Sequence, residues 1–526
     1  MWRPEDPQGN EAQKIKYEIV PYTRGQGLDI GCGPFKAFDH FIGVDNGHHA
    51  KEFGWEIHPD VSVTDATDLR VFASQSMDFV FSSHLLEHIE DTDAALKEWW
   101  RVIKPGGYLV LYLPDKSQYP NMGEPGANPD HKHDFHHDDI ILAMEKMKLG
   151  WDLLRNETRD ADYGPGQHGN EYSFFQVYKK RSDDLNRVLC AETPKKSVCV
   201  VRYGGFGDMI QAASIMPWLK EQGYHITVMT TPNGQNMLKH DPHVDNFLVQ
   251  DTDQVPNEEL PYFWSAQAKN FDKFINLSES VEGTLLAIPG RTAYRLSKQA
   301  RHFLMDRNYL EMVHAIAEVP EPYHAYFYPS QDEIAWAAQT DKEINPQNKP
   351  VIVWSLAGSS VNKAWPHLDA VIARIMLETD AIVVMVGDIL CQLLECGWEN
   401  EPRAIRKSGI WEIRQSLTYT IEHADLVIGT ETGLLNAVGM VETIPKIVTL
   451  SHSSQENLTK HWANTLALTP ENVACYPCHM LHYGFDNCDI EDETHTAQCQ
   501  FQITADMMWE AVGRFILTFK GVVSGH

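Results

Sequence analysis

Short apolar runs that end in Gly or Asp recur along the whole chain, and amphipathic stretches separate them. This alternation is typical of βα units, in which helices connect buried parallel strands. The clearest strand candidates are GLDI at 27–30, FIGVD at 41–45, DFVFS at 78–82 and YLVLYLP at 108–114. Between the last two, DAALKEWWRVI predicts a helix, and KPGG closes it with proline and glycine stop signals. The sequence therefore predicts an α/β fold.

The alternation restarts twice, and 526 residues exceed what one hydrophobic core supports. The strand SVCVVRY follows the charged stretch KKRSDDLNRVLCAETPKK, and VIVWSLAG follows the polar segment QTDKEINPQNKP. These breaks predict three lobes of roughly 150 residues each. We expect an N-terminal domain at 1–183, a linker at 184–196, a second lobe at 197–345, and a third lobe with a terminal helix at 346–526.

The formal net charge of -29 opposes phosphate backbones and anionic membrane surfaces, so it disfavours sequence-independent nucleic-acid binding. Nine cysteines are an odd number, and the start MWRPEDPQGNEAQK lacks the apolar core of a secretory leader. No window approaches 18 consecutive apolar residues. We therefore expect a cytoplasmic protein without a disulfide framework or transmembrane segment, whose oligomeric state the sequence does not indicate.

Carboxylates and glycines follow the first strand candidates in an ordered series. LDIGCGP carries Asp29 and two glycines at a turn that lets the backbone approach a ligand, although a tight loop without a ligand is an alternative for this turn alone. Asp45 ends the next strand, where a carboxylate can accept hydrogen bonds from both ribose hydroxyls. Asp65, in SVTDATDL, follows where a third strand would end and can accept from an adenine amine. The series predicts a nucleoside pocket.

With DFVFSSHLLEHIED and LKEWWRVIKPGGYLVLYLP, this series resembles the class I S-adenosylmethionine-dependent methyltransferases of the small-molecule type, over residues 24 to about 115. The resemblance implies a Rossmann-like domain whose residues contact three parts of the cofactor: Asp29, Gly31 and Gly33 the methionine, Asp45 the ribose, and Asp65 with Ala66 the adenine. It also implies that Glu87 lies in the cofactor site and that His88 is catalytic, near the donor or the acceptor.

One departure from that family concerns the first helix. Phe35 stands where many members have a third glycine, and only seven residues separate Gly33 from Phe41. The first helix must therefore be very short. This weakens a dehydrogenase interpretation, in which a full helix N-terminus would bind a pyrophosphate.

Histidines cluster with acids in NPDHKHDFHHDD, after the fifth strand: His131, His133, His136 and His137. Three interpretations stay open. A histidine can deprotonate an acceptor hydroxyl, mixed His and Asp can bind a divalent metal, or the stretch is a polar loop that covers the acceptor site. The resemblance favours the base, and we assign that role to His133.

A glycine-rich turn opens the second lobe. SVCVVRYGGFGDMIQAASIMPWLKEQGYHITVMTT predicts strand, turn, helix and strand, with Asp208 at the start of the helix. It resembles the N-terminal lobe of the heptosyltransferase-like glycosyltransferases, family nine of the sugar transferases, which have the two-lobed GT-B fold. In that family the aspartate deprotonates the acceptor hydroxyl, so the resemblance implies this catalytic role for Asp208. A helix-capping aspartate is the alternative.

Two later segments resemble the donor half of the same family, which extends the resemblance from about 198 to 515. WSLAGSSVNKAWP supplies amides, hydroxyls and a cation that can hold phosphate oxygens: Gly358, Ser359, Ser360 and Lys363. HADLVIGTETGLLNAVGM predicts a turn and a helix N-terminus that can face the diphosphate of a nucleotide sugar: Thr430, Thr432, Gly433 and Leu434. Asn436 and Glu431 stand where relatives commonly have His and Asp, so the donor sugar is not assigned.

The loop CYPCHMLHYGFDNCDIEDETHTAQC holds four cysteines that can bind structural zinc: Cys475, Cys478, Cys488 and Cys499. Their spacing is irregular. Related transferases often carry a cysteine-rich loop here, so a reduced structural loop is the alternative.

The sequence favours a bifunctional transferase. One module would methylate a hydroxyl of a glycan or small molecule with S-adenosylmethionine, and the other would transfer a sugar from a nucleotide-sugar donor to a glycan acceptor. Hypermodification of a nucleic-acid base is a second hypothesis, against which the net charge argues. A noncatalytic scaffold module is a third, against which the intact Asp29, Asp45, Asp208 and Lys363 argue.

Overall fold

The computed structural model describes residues 11–47, 57–159, 172–190, 196–358, 360–484 and 488–519. Within these ranges, no helix is long and apolar enough to cross a bilayer. The chain forms two compact units. The first contains Met1–Lys195 with Leu248–Asp272, and the second contains Lys196–Phe247 with Lys273–His526.

The secondary structure alternates strands with helices as the apolar pattern predicts. The described strands up to residue 190 are β1 (Gly27–Ile30), β2 (Ile42–Asp45), β3 (Val61–Ser62), β4 (Met77–Ser83), β5 (Ile103–Pro114), β6 (Trp151–Thr158), β7 (Ser173–Lys180) and β8 (Asn186–Val188). The described helices there are α1 (Ala12–Ile15), α2 (Thr92–Val102) and α3 (His137–Lys146), with a short helical turn at Leu86–His88.

The same alternation continues from residue 196. The strands are β9 (Ser197–Val201), β10 (His225–Thr230), β11 (Asn246–Val249), β12 (Lys273–Asn276), β13 (Val351–Ser355), β14 (Ile382–Val386), β15 (Ala404–Arg406), β16 (Leu426–Thr430), β17 (Lys446–Thr449) and β18 (Thr465–Leu468). The helices are α4 (Phe206–Ala213), α5 (Met216–Glu221), α6 (Pro232–Leu238), α7 (Leu260–Ala268), α8 (Lys298–Met305), α9 (Tyr309–Ala317), α10 (Gln331–Ile344), α11 (Leu368–Glu378), α12 (Ile413–His423), α13 (Gly433–Val438), α14 (Gln498–Phe501) and α15 (Ala505–Phe519).

The first unit contains one eight-stranded sheet in the order β3-β2-β1-β4-β5-β7-β6-β8. Strand β1 pairs in parallel with both β2 and β4, and β7 runs antiparallel to both of its neighbours. The order of strands reverses beside β1. In open α/β sheets, ligands bind at such a switch point, outside the carboxyl ends of the strands. The carboxyl ends of β1 and β4 are therefore the expected site.

The helix predicted for DAALKEWWRVI ends just before KPGG, and KPGG itself is part of a strand. Helix α2 ends at Val102, and β5 begins at Ile103 and includes KPGG. Gly107 permits this, because a Cβ there would lie 2.5 Å from the carbonyl oxygen of Asp78 on β4. The glycine thus allows two neighbouring strands to approach closely where their register shifts.

The segment Leu248–Asp272 belongs to the first unit, although the sequence assigns it to the lobe at 197–345. The buried amide of Gln254 donates to the carbonyl oxygens of Val20 and Thr23 at 2.7 and 3.0 Å. Glu259 accepts from Tyr17 Oη at 3.0 Å. Strand β8 lies within the predicted linker at 184–196, yet it pairs with β6 of the first unit. The domain boundaries predicted from the sequence stay a prediction.

Strands β9 to β18 form two further sheets, one for each of the two later lobes. The first has the order β11-β10-β9-β12, and the second has the order β15-β14-β13-β16-β17-β18. All pairs in the six-stranded sheet are parallel. The switch points lie at the carboxyl ends of β9 and β12, and of β13 and β16. The predicted fold class, an α/β chain with a Rossmann-like domain followed by a two-lobed GT-B arrangement, is confirmed.

A buried arginine joins the two lobes of the second unit. Arg414, on α12, is 2% exposed. Its guanidinium donates to both carboxylate oxygens of Glu333 at 2.6 and 2.7 Å. It also donates to the carbonyl oxygens of Asn236, Met237 and Tyr328. Burial opposes ionisation of Glu333, but Arg414 outweighs it and lowers the pKa of Glu333 to about 2.

Replacing Arg414 with Ala is expected to lower the free energy of unfolding of the second unit by about 3 kcal/mol, because a carboxylate and three carbonyls lose their buried partner. Urea unfolding followed by tryptophan fluorescence measures this loss. Arg406→Ala is the matched control, since Arg406 contacts Glu399 at 3.2 Å on the surface. We expect the control to lose less than about 1 kcal/mol. Equal losses would contradict the structural role of Arg414.

Candidate functional site

A cavity of about 1220 Å³ opens at the switch point of the first unit. All residues predicted to hold S-adenosylmethionine line it, as does the predicted catalytic His88: Asp29, Gly31, Gly33, Asp45, Asp65, Ala66, Glu87 and His88. Pockets of roughly 300–1,000 Å³ hold one drug-sized molecule. The cavity is therefore large enough for a nucleoside cofactor with an acceptor beside it.

The turn after β1 has a backbone that only glycine adopts readily. Gly31 and Gly33 have φ values of +76° and +55°. A Cβ on Gly31 would lie 2.8 Å from Leu85, whereas a Cβ on Gly33 would meet no atom within 4 Å. Gly33 therefore leaves open space beside the cavity. Residues 31–41 form turns without a helix, shorter still than the very short helix that the sequence predicts.

Because this turn contains no helix, carboxylates accept the hydrogen bonds of its backbone amides. Asp29 is 2% exposed and accepts from the Ala37 amide at 2.9 Å, and burial raises its pKa to about 7. Asp45 accepts from the amides of Gly33 and Gly47 at 3.0 and 2.7 Å. These bonds hold the Asp45 carboxylate at the end of β2, the position that the sequence predicts to contact a ribose.

The adenine end of the predicted pocket is fixed by a tryptophan. Asp65 accepts from the Thr67 amide at 2.9 Å. The carbonyl oxygen of Ala66 accepts from Trp99 Nε1 at 2.9 Å, and Trp99, on α2, is fully buried. Helix α2 thereby positions the loop that carries Asp65.

Three polar side chains converge at the other described wall of this cavity. Glu87 Oε1 lies 3.9 Å from His88 Nε2, and the His88 and His131 rings pack edge to face with centroids 4.8 Å apart. The backbone amides of Lys132 and His133 donate to the carbonyl oxygen of Glu87 at 2.7 and 3.2 Å. These bonds hold the histidine loop against the Leu86–His88 turn. Burial raises the pKa of Glu87 to about 8 and lowers that of His131.

The remaining histidines of the loop lie elsewhere. His133 Nε2 is 3.1 Å from the carbonyl oxygen of Glu90, its ring stacks on Phe135, and it is not among the described residues that line the cavity. His136 caps the N-terminus of α3. The role of His133 as a base stays a prediction. Sequence reasoning missed three aromatic side chains that line the cavity: His84, Tyr119 and Tyr172.

In the second unit, Asp208 lies in the first turn of α4, at the switch point of the four-stranded sheet. Its carboxylate accepts from the Gly205 amide at 2.9 Å and lies 3.2 Å from Arg202 Nη2. Arg202 is 1% exposed and donates to both carboxylate oxygens of Glu282 at 2.8 and 3.0 Å. Asp208 therefore caps the helix and is also ion-paired, so both sequence interpretations stay open. Sequence reasoning missed Arg202, which directly follows β9.

The described residues among those predicted to bind the donor lie at the switch point of the six-stranded sheet. Lys363 is 8% exposed and donates to the carbonyl oxygen of Glu431 at 2.8 Å. Burial lowers the pKa of Lys363, while the charges of Glu431 and Asp208 oppose that shift. The Glu431 carboxylate lies 2.5 Å from His452 Nδ1. His452 is a further residue that the motifs did not indicate.

Hydroxyl side chains form hydrogen bonds that stabilise the turn before α13 and the segments beside it. Thr432 caps this helix and lies 3.0 Å from Ser355 Oγ. Thr430 donates to the carbonyl oxygen of Thr449 at 3.3 Å. Ser360 donates to the carbonyl oxygen of His482 at 2.5 Å. Leu434 is buried, Gly358 packs beside Lys363, and Ser359 lies outside the described residues.

The two glycine-rich turns of the second unit meet each other. Gln211 Nε2 donates to Asn436 Oδ1 at 2.9 Å. A Cβ on Gly207 would lie 2.7 Å from Asn436 Nδ2, and a Cβ on Gly433 would lie 3.1 Å from the Gly207 nitrogen. Glycine at both positions therefore allows α4 and α13 to approach closely, so that Asp208 and the predicted donor residues lie in one region.

The cysteine-rich loop contains four free thiols. Burial raises the pKa of Cys478 to about 12 and that of Cys488 to about 11, which favours neutral thiols. Across the described residues, two groups have three or more metal-ligand atoms within 4.8 Å of one another, and neither contains a cysteine. Zinc in this loop stays a prediction.

Comparison with known proteins identifies part of the first unit. Residues 28–111 match a family described as a methyltransferase domain. Over 92 residues the chain is 35% identical to demethylmenaquinone methyltransferase of Streptomyces griseus, which covers 16% of this chain. Over 139 residues it is 26% identical to an uncharacterized protein of Methanocaldococcus jannaschii, which covers 26% of this chain. The chain spans 40% and 66% of the length of these two curated relatives, respectively.

Among solved structures, the glycosyl transferase family 9 protein of Veillonella parvula aligns with 62% of this chain and 99% of its own length. The sequence identity is 14% and the TM-score is 0.46. The family match, together with the sheet order and the cavity, leads to one identification: the chain contains a methyltransferase domain at residues 28–111.

Proposed function

We propose that the first unit transfers a methyl group from S-adenosylmethionine to a hydroxyl of a glycan or small molecule. The observation that carries this proposal is that every predicted cofactor residue lines one and the same cavity. S-adenosylmethionine would supply an electrophilic methyl group at a sulfonium. Asp45 would bind the ribose hydroxyls, and Asp65 with Ala66 would bind the adenine. His88 and His131 line the same cavity, so their imidazoles can promote loss of the acceptor's proton.

We further propose that the second unit transfers a sugar from a nucleotide-sugar donor to a glycan acceptor, which makes the chain bifunctional. Asp208 takes the proton of the acceptor hydroxyl, and the acceptor oxygen bonds to the anomeric carbon as the bond from that carbon to the diphosphate breaks. Lys363 and the amides of the turn before α13 offset the charge that develops on the diphosphate. The proposal is supported by the adjacent switch-point residues on α4 and α13.

Calorimetric titration of the full chain tests both proposals. We expect one equivalent of S-adenosylmethionine to bind, and one nucleotide class to bind from a panel of ADP-, GDP-, UDP-, CDP- and dTDP-linked sugars. Binding of the second donor should be unaffected by the first if each unit has its own site. Failure of S-adenosylmethionine to bind would overturn the first proposal, and failure of the whole panel would overturn the second.

A further inference from the structure

We propose that Glu87, His88 and His131 bind a first-row divalent cation at the wall of the methyltransferase cavity. When an acceptor is present, this ion would coordinate its hydroxyl. The ion site rests on the geometry of these three side chains, and its role in the reaction rests on the proposed methyl transfer.

The three side chains have the spacing of a metal site. One ligand atom from each lies within 4.8 Å of the other two, and Glu87 Oε1 is 3.9 Å from His88 Nε2. Metal bonds of about 2.0–2.2 Å place two ligand atoms roughly 3 to 4 Å apart. Small side-chain rotations therefore suffice to bring all three atoms onto one ion.

Glu87 provides a second, independent observation. It is fully buried, it faces the cavity, and neither carboxyl oxygen has a hydrogen-bond partner on another described residue. A buried carboxylate without a partner is costly, and buried charges in proteins are normally paired or coordinate a metal. A cation at this point supplies the missing partner.

The surroundings also suit an ion. The backbone bonds from Lys132 and His133 to the Glu87 carbonyl hold His131 beside the Leu86–His88 turn. The ring of Tyr119 packs on that of His131, with centroids 5.4 Å apart. Such support fixes the orientation of a ligating imidazole. The His131 ring is therefore held near Glu87 and His88.

The donor set indicates the class of ion and its function. Two imidazole nitrogens and one carboxylate oxygen suit Zn²⁺, Mn²⁺, Fe²⁺ or Co²⁺ and leave coordination positions open to the cavity. An acceptor hydroxyl at an open position becomes more acidic and loses its proton to water. Its oxygen then bonds to the methyl carbon, and the carbon–sulfur bond breaks with its electron pair returning to sulfur. No change of oxidation state is needed.

Cobalt provides the test, because its visible spectrum reports the ligands. The full chain, stripped with EDTA, is titrated with CoCl₂, and MnCl₂ binding is followed by loss of the free-ion electron paramagnetic resonance signal. We expect one equivalent to bind through nitrogen and oxygen ligands. His131→Gln and Glu87→Gln should each weaken binding at least about 10-fold. His131→Gln is checked for unchanged S-adenosylmethionine binding. Glu87→Gln, whose side chain lies in the predicted cofactor site, is checked instead by its circular dichroism spectrum and its urea unfolding midpoint, which show whether the unit is folded.

His137→Gln is the matched control. His136, His137 and Asp138 form the other group of metal-ligand side chains in the described residues. Loss of the ion in this control but not in His131→Gln would overturn the proposal, and so would thiolate-to-cobalt charge-transfer bands, which would assign the ion to the cysteine loop. Cofactor binding without ion binding would overturn only the ion site. Ion binding without cofactor binding would overturn only the methyl-transfer proposal.

Discussion

Asp208→Asn is expected to reduce the rate of sugar transfer about 1,000-fold, because the amide cannot accept the proton of the acceptor hydroxyl. Asp208 accepts a hydrogen bond from the Gly205 amide at 2.9 Å. The asparagine oxygen can still accept this hydrogen bond, so the cap of α4 should persist. Donor affinity should stay within about threefold of that of the unmodified chain, since a base and not a phosphate contact is removed. Turnover and calorimetric donor binding, measured with the nucleotide sugar that binds best, separate these two effects.

Glu282→Gln is the control for Asp208→Asn. Both carboxylates contact the guanidinium of Arg202. Asp208 also caps the N-terminus of α4, whereas Glu282 does not cap that helix. The control removes the same charge from the same ion-pair network, so it measures how much the network alone contributes to the rate of sugar transfer. We expect it to reduce transfer less than about 10-fold. Equal losses in the two variants would assign Asp208 to the network and the helix cap, and would contradict its role as the base.

The motif positions were predictable because of a general property of parallel sheets. Asp29 lies at the carboxyl end of β1, and Asp208 and Thr432 follow β9 and β16 within a few residues. The carboxyl ends of parallel strands share one edge of a sheet. Local sequence therefore indicates which edge of each sheet the motif residues occupy. In all three sheets the motifs lie at the point where the strand order reverses.

Residues that reach a site through long-range contacts could not be predicted from local sequence in the same way. The histidine loop has no regular periodicity, so nothing in it distinguishes His131, which lines the cavity, from His133, which contacts the Glu90 carbonyl instead. The pairing of Arg202 with Glu282 joins residues far apart in sequence. Likewise, the attachment of Gln254 to the first unit depends on side-chain bonds to distant carbonyls. Such contacts leave no local pattern.

Asp45→Ala is expected to weaken S-adenosylmethionine binding by about 3 kcal/mol, or roughly 100-fold, because two charge-assisted hydrogen bonds to the ribose are lost at about 1.5 kcal/mol each. Nucleotide-sugar binding should be unchanged, since Asp45 belongs to the first unit. Calorimetric titration of each donor measures both affinities on the same preparation. Equal weakening of both donors would indicate general unfolding instead of a lost ribose contact.

Asp60→Ala is the control that separates two effects of Asp45→Ala: loss of the ribose contact and disruption of the loop that carries Asp45. Asp60 also braces β2, where it accepts from the Gly43 amide at 2.7 Å and from Lys36 Nζ at 2.9 Å. Unlike Asp45, it is not among the described residues that line the cavity. Because its loss removes backbone support without removing a cavity oxygen, we expect cofactor affinity to stay within about threefold of that of the unmodified chain. A loss as large as that of Asp45→Ala would show that the loop, and not the Asp45 carboxylate, determines the affinity.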